Sequence, residues 1–523
     1  MGKAEHSGAA IPQLVEVSIG DNNRNWVRLF GPRAALMGSV ALIIIITALH
    51  AWGCWTKDTY VNFSAGVVIT LAADLKDGVF YRPLFGPWGY GGTRYFPLYF
   101  VLDAVLLKLH IPALLSAYLL SGAAVILLLM GCFHLMKALG VEPWLAACAA
   151  GAILAPAVCQ WSLTFPHPDG LASALNVWGL AVIVRPKPRH KQIVLASILF
   201  ALAWSAKETT VFGFAVALLW LVTTGSRRTA WELAAATCFG YLLVASSMIL
   251  ASQGRVLDIF QALSSGGATW ISIMSGPLGL LIRVAHDRGL LVFFILALLP
   301  LFQLAWSRAL VQSLPALFFI AAIVVTAIIF GSPGTSSNHL LDVQIAVVIL
   351  FTVWLANRTT LAQRQFGTYA LALATFLAAV PLWHRLQWDS QVHPHFFQRV
   401  IALVDTHKPL LTENAVIAVL AGQHPYVLDP QELPLLEKRT PGFLEPLLDG
   451  LRSQAFGAAV LTHDPRTEGG RWLYETVYFG PGFTLALMNN YRLAFAVDDA
   501  WIWLPKSQIS REIAPDGQLQ ESQ

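Results

Sequence analysis

Eleven apolar stretches, most of them bounded by polar or basic residues, dominate this chain: 34–54, 112–136, 143–161, 169–184, 192–206, 208–224, 229–251, 289–306, 312–331, 342–356 and 366–383. A hydrocarbon core about 30 Å thick takes roughly 20 residues of helix to cross. With no water inside the bilayer, only helices and closed barrels can satisfy their own backbone groups. Of the 523 residues, 56% are hydrophobic and 12% charged, about half the charge share of a soluble protein. The expected fold class is therefore an all-α polytopic membrane protein of about 11 transmembrane helices. A further apolar stretch, 98–109, is too short to cross and reads as an interfacial or re-entrant helix. The five cysteines fall in or beside apolar spans without metal-ligand spacing, and read as buried small apolar residues.

Loop charges orient the spans. Arg24, Arg28 and Arg33 precede the first one, and the connections 185–191, 225–229, 306–308 and 357–364 are basic. The positive-inside rule makes these cytoplasmic. The N-terminal segment 1–33 is then cytoplasmic, 34–384 is the membrane domain, and the first loop, 55–111, lies outside. An odd number of spans puts 385–510 outside as well. That region is too polar to span. VIAVLAG, AAVLTHD and LAFAVDDAWIWLP read as strands and 430–454 as helix, giving a small extracytoplasmic α/β domain. Residues 511–523 read as a disordered tail, and 252–288 as an outer loop.

The first outer loop, from Trp55 to Pro97, holds most of the polar and aromatic residues. Asp58 lies just past the first span, 61–75 has helical spacing, and Arg82 and Arg94 sit among Tyr81, Trp88, Tyr90 and Tyr95. Two readings are open: a site for an anion and a sugar, or an interfacial loop anchored by aromatics and arginines. Asp169, beside His167, starts a span, where a carboxylate also serves as a favourable helix N-terminal charge. Lys207 and Glu208 stand between two spans almost without a loop. Such groups are costly unless paired or functional, and a snorkelling lysine is the alternative. Asn338 and His339 precede a late span with free backbone N–H groups able to bind an anion. Arg283, His286, Asp287 and Arg288 form either a second anion clamp or ordinary flanking charges. No nucleotide-binding, zinc-protease, hydrolase or redox motif is present.

The order and common side of these residues resemble the GT-C superfamily of membrane glycosyltransferases, which take sugars from polyprenyl phosphates. Its members include protein O-mannosyltransferases, aminoarabinose transferases and polyprenyl-phosphomannose-dependent mannosyltransferases. The shared pattern comprises Asp58 after span one, interfacial helices ending at RYFPLYF, Asp169, Lys207, the Asn338–His339 turn and a polar C-terminal domain. The resemblance implies that Asp58 is the general base and that Asp169 positions a sugar. Lys207 would hold the donor phosphate with His339 and an arginine from Arg82, Arg94 or Arg283. His167, Glu208, Asn338 and Tyr95 are the further substrate-binding candidates. It implies transfer, inverting at the anomeric carbon, to a hydroxyl of a lipid-, glycan- or protein-linked acceptor, at the outer face of a bacterial inner membrane. A departing phosphate can be stabilised by Lys and Arg alone, so no metal or other cofactor is required, and no DxD pair of the metal-dependent kind is evident. The rival class is a secondary transporter or lipid flippase, which would need a site at midplane with access from both sides.

Overall fold

The computed structural model describes residues 20–57, 61–184, 188–263, 266–332, 335–391 and 394–507, with backbone only for 20–30, 161 and 388–391. Asp58 and the tail 511–523 lie outside the described residues. The chain begins with α1 (Gly20–Lys57), α2 (Phe63–Lys76), a short hairpin of β1 (Phe85–Gly86) and β2 (Gly89–Tyr90), and α3 (Pro97–Lys108). Then come α4 (Ala113–Ala138), α5 (Pro143–Ala152), α6 (Ala157–Thr164), α7 (Pro168–Ile183), α8 (His190–Ala206) and α9 (Val211–Thr223). The membrane region continues with α10 (Arg227–Ala251), α11 (Arg255–Leu263), α12 (Trp270–His286), α13 (Arg288–Trp306), α14 (Leu314–Ile329), α15 (Leu340–Ala356) and α16 (Leu361–Gln391).

Each of the eleven expected spans is helical. Among the described residues, six helices are individually long and apolar enough to cross a membrane: α1, α4, α10, α13, α15 with the turn before it, and α16. Helices α8, α9 and α14 are shorter apolar helices. The stretch 143–161 is not one straight helix, because α5 and α6 meet at 83°. Pro156 sits at the break, where it lacks an N–H and disfavours helical backbone in the residue before it. Helix α15 is buried from Leu340 to Thr352, so it reads as the central helix of the bundle. By contrast α10, α13 and α16 expose large apolar residues such as Leu250, Phe302 and Phe366, the surface a lipid-facing helix presents. Helix α3, roughly 18 Å long at 1.5 Å per residue, packs on α2, α4 and α8.

One expectation fails outright. Residues 252–288 are not an open loop but contain α11 and α12. Their Gly and Ser content hides two amphipathic stretches. Gly276 of α12 packs against the Ala327 carbonyl at the end of α14, and Gly331 against Ile273, while Trp270, Ile271 and Met274 stay exposed. Of the four charges there, read as either an anion clamp or ordinary flanking charges, Asp287 caps α13 by accepting from Leu290 N (3.0 Å) and also accepts from Val158 N (2.9 Å).

The C-terminal region contains α17 (Phe396–Ile401), β3 (Leu410–Thr412), α18 (Val416–Leu420), α19 (Leu433–Arg439), α20 (Glu445–Arg452), β4 (Ala458–Leu461), α21 (Glu468–Trp472), α22 (Phe483–Asn490), β5 (Tyr491–Val497) and β6 (Ala500–Pro505). One sheet, in the order β3-β4-β6-β5, has a parallel β3/β4 pair and is otherwise antiparallel. VIAVL is helix α18 rather than a strand, and the strand is the LLT before it. The helical stretch 430–454 is broken after Arg439, before Pro441. Tyr90 joins this region to the first loop as a strand would: its N–H bonds Tyr426 O (2.7 Å) and its carbonyl accepts from Leu428 N (3.0 Å).

Candidate functional site

Asp169 is the centre of a buried cluster. His167 has extended backbone and leads into Pro168 at the first position of α7, which places Asp169 in the first helical turn. Lys207 ends α8 with extended backbone (φ −157°, ψ 124°). Its carbonyl is held by the Thr210 hydroxyl (2.7 Å), and its side chain reaches α7. Lys207 Nζ forms an ion pair with Asp169 Oδ1, and His167 Nδ1 closes on Oδ2. Asn338 Nδ2 also donates to Oδ2 (2.9 Å). Lys207 Nζ lies 3.0 Å from His339 Nδ1. An ammonium only donates, so this ring nitrogen is the acceptor and the imidazole is neutral there. Asn338 and His339 sit on a 3-10 turn ahead of α15. The turn is pinned by Ser162 Oγ to the Asn338 carbonyl (3.1 Å), and the bend between α5 and α6 leads the chain into the helix that carries Ser162.

Asp169 is 2% exposed and Lys207 8%. Leaving two charges so far from water is costly unless each is paired and hydrogen-bonded, and here both are. A carboxylate has about four acceptor sites, and three of Asp169's are taken. Its polar contacts go to Lys207, His167 and Asn338. Among the described residues Lys207 uses two of its three N–H groups, on Asp169 and His339, and keeps one.

The other expected site residues separate. Tyr95 packs edge-on against His167 (5.9 Å between ring centres) and joins the cluster. Arg283 lies over Phe330 (4.3 Å) and donates to Thr335 O (3.1 Å). Glu208 is exposed rather than paired with Lys207. Arg94 donates from Nε to Glu432 Oε1 (2.8 Å). Arg82 does not enter the site: it makes a two-pronged contact with Asp74 (2.6 and 2.7 Å), donates to Pro425 O (2.7 Å) and is 2% exposed. Its guanidinium is consumed in holding the C-terminal region to the first loop.

Two cavities matter here: His167 and Asn338 of the cluster line one, and Glu208, the residue after Lys207, lines the other. The larger, about 1280 Å³, lies between the membrane helices and the C-terminal sheet, with His167, Asn338, Arg283 and Phe165 on one side and Asn414 and Thr462 on the other. Val61 also lines it. The smaller, about 330 Å³, is apolar, walled by Phe96, Trp204, Met248 and Phe260, with Arg94 and Glu208 as its charged lining. Sequence reading missed the C-terminal wall. Glu413 and Asn414 follow β3, and Thr462 and His463 follow β4, so polar residues gather at the carboxyl ends of parallel strands, where crevices form. The readable signal is an apolar run followed by polar residues, LLTEN and AAVLTHD. Glu413 itself is structural, accepting from Thr462 N (2.8 Å), Thr462 Oγ1 (2.6 Å) and Tyr474 Oη (2.7 Å).

No family model matches the chain, and no curated protein matches it. Solved structures do. The oligosaccharyltransferase AglB of Archaeoglobus fulgidus, in complex with an inhibitory peptide and a dolichol-phosphate, superposes with a TM-score of 0.56 at 10% identity, over 95% of this chain and 76% of AglB. ArnT from Cupriavidus metallidurans, bound to undecaprenyl phosphate, superposes with a TM-score of 0.53 at 14% identity, over 89% of this chain and 98% of ArnT. At such identities the likeness is one of fold. That shared fold, a helical bundle followed by a small sheet region, matches the architecture expected from the sequence.

Proposed function

We propose that the protein is a membrane glycosyltransferase that moves a sugar from a polyprenyl-phosphate donor to an acceptor hydroxyl, on the side of the membrane carrying the C-terminal domain, which we assign as extracytoplasmic. The observation that carries this is the Asp169–Lys207–His339–Asn338 cluster, a held ammonium; Asn338 of the cluster lines the larger cavity, and Glu208, next to Lys207 in the chain, lines the apolar one. The apolar cavity suits the first isoprene units of a lipid whose phosphate meets Lys207 and Arg94. The larger cavity suits the acceptor.

In this reading the bond from the anomeric carbon to the phosphate oxygen breaks, and its electron pair stays on the phosphate, where Lys207 and Arg94 offset the charge. The acceptor oxygen attacks from the opposite face and gives its proton to the Asp58 carboxylate. Asp169, itself braced by His167 and Asn338, keeps Lys207 in place. The chemistry calls on no metal.

The test uses purified protein in nanodiscs. It should bind undecaprenyl phosphate more tightly than undecaprenol, and should move label from a polyprenyl-phosphate sugar to a membrane glycolipid or glycan fraction. Asp58→Asn should cut turnover by at least the ~10²-fold that general-base catalysis supplies, with donor binding intact. Passage of intact donor across a proteoliposome without bond cleavage would identify a transporter instead. Near wild-type turnover in Asp58→Asn together with loss in Asp169→Asn would exchange the two roles.

A further inference from the structure

Arg94 is held by a carboxylate from a distant part of the chain. Glu432, at the end of a 3-10 turn before α19, is 1% exposed and takes the Nε edge of Arg94 at 2.8 Å. This is Arg94's only hydrogen bond among the described residues, and it leaves both Nη groups without a protein acceptor. The other Glu432 oxygen, Oε2, is buried without a partner among the described residues. Beside it Asp429, also buried, accepts from Thr93 Oγ1 (3.4 Å), so the residues before and at Arg94 are both gripped by the C-terminal domain. The space for the guanidinium is built on the other side too. Gly266 has φ +53°, and a Cβ there would lie 2.1 Å from Arg94 Nη1. Arg94 shares the wall of the apolar cavity with Glu208, the residue after Lys207.

We infer that Glu432 is a positioning residue of the transfer site: it holds Arg94 by one edge so that the Nη edge presents paired N–H donors to the donor phosphate beside Lys207. A guanidinium gripped at Nε keeps the fork that matches two phosphate oxygens, and loses less freedom when the phosphate arrives. The C-terminal domain thereby contributes to donor binding across a separation of 338 residues. This rests on the donor reading above.

The experiment compares undecaprenyl phosphate with undecaprenol on the full-length protein in nanodiscs, for wild type, Glu432→Gln, Glu432→Ala, Arg94→Ala and the double variant Glu432→Ala/Arg94→Ala. Undecaprenyl phosphate affinity should fall in the order wild type, Gln, Ala, with Glu432→Ala losing about ten- to hundredfold, while undecaprenol affinity stays level. The double variant should lose no more than Arg94→Ala alone, since the two act as one unit. Level phosphate affinity across the Glu432 series, or equal losses for the two lipids, overturns the inference. If the Ala variant does not fold, wild type against Gln decides by the same criterion. Failure of wild type itself to prefer the phosphate sinks the donor reading instead, so the two failures are told apart.

Discussion

Arg82 and Arg94 lie in the same aromatic loop and both reach the C-terminal domain, yet they end in opposite situations. Arg82 spends three of its nitrogens on Asp74 and Pro425 O, lies 5.3 Å from the Trp88 ring centre, and is sealed by His424 stacked flat on that ring (3.7 Å, 7°). Arg94 is 34% exposed in its side chain and spends one nitrogen. A buried arginine with every donor engaged is a fastener. An arginine anchored by one edge at a cavity wall has valence left for a ligand. Charge and burial alone do not separate the two; the count of unused donors does.

The largest effect should come from breaking the fastener. Arg82→Ala leaves Asp74, 1% exposed, with its main counter-charge gone. Removing one partner of a buried pair costs about 3–5 kcal/mol, so the thermal unfolding midpoint should drop steeply. The preference for undecaprenyl phosphate over undecaprenol, measured below that midpoint, should hold. A stable Arg82→Ala protein that had lost the preference would reverse the roles of the two arginines.

Next comes the partner of Arg94. Lys207→Ala removes a charge-assisted contact to the phosphate, about 1.5–3 kcal/mol of the phosphate-specific affinity. An unchanged difference between the two lipids would leave Lys207 as a structural partner of Asp169 only.

The smallest effect sharpens the seam beside Arg94. Burial, and then the neighbouring Glu432 carboxylate, pushes the Asp429 carboxyl up to about 8 from its ordinary 3.8. Burial raises Glu432 too, against the pull of Arg94. For an acid raised in the folded state, the folded protein holds the proton that the unfolded chain releases. Its stabilising contribution is therefore full below about pH 3.8 and is lost as pH climbs to about 8. The unfolding midpoint should drift down across that window, and Asp429→Asn, permanently neutral, should flatten this part of the slope. A slope identical to wild type would show that Asp429 does not titrate there.

Much of the site was legible because the bilayer constrains it. Asp169, Lys207 and the Asn338–His339 turn all sit at helix ends, and counting spans from the basic loops puts those ends on one side. Their convergence on one carboxylate was not legible, since it depends on the extended backbone at Lys207 and the bend at Pro156. Helix α12 was missed because Gly and Ser near it read as loop, whereas Gly276 is there to let the helix touch the end of α14.

By itself the sequence determined that this chain crosses a membrane many times and carries a polar domain at its end. Apolar runs of that length have no other low-energy home, and their helices form from local hydrogen bonds alone. It also determined which ionisable groups stand at the helix ends. Only the tertiary structure decided that Asp169 holds a lysine, that Arg82 is consumed, and that Glu432 grips Arg94. Those outcomes rest on contacts between residues up to 343 positions apart, and pairing a charge depends on which partner packing delivers, information that no local pattern contains.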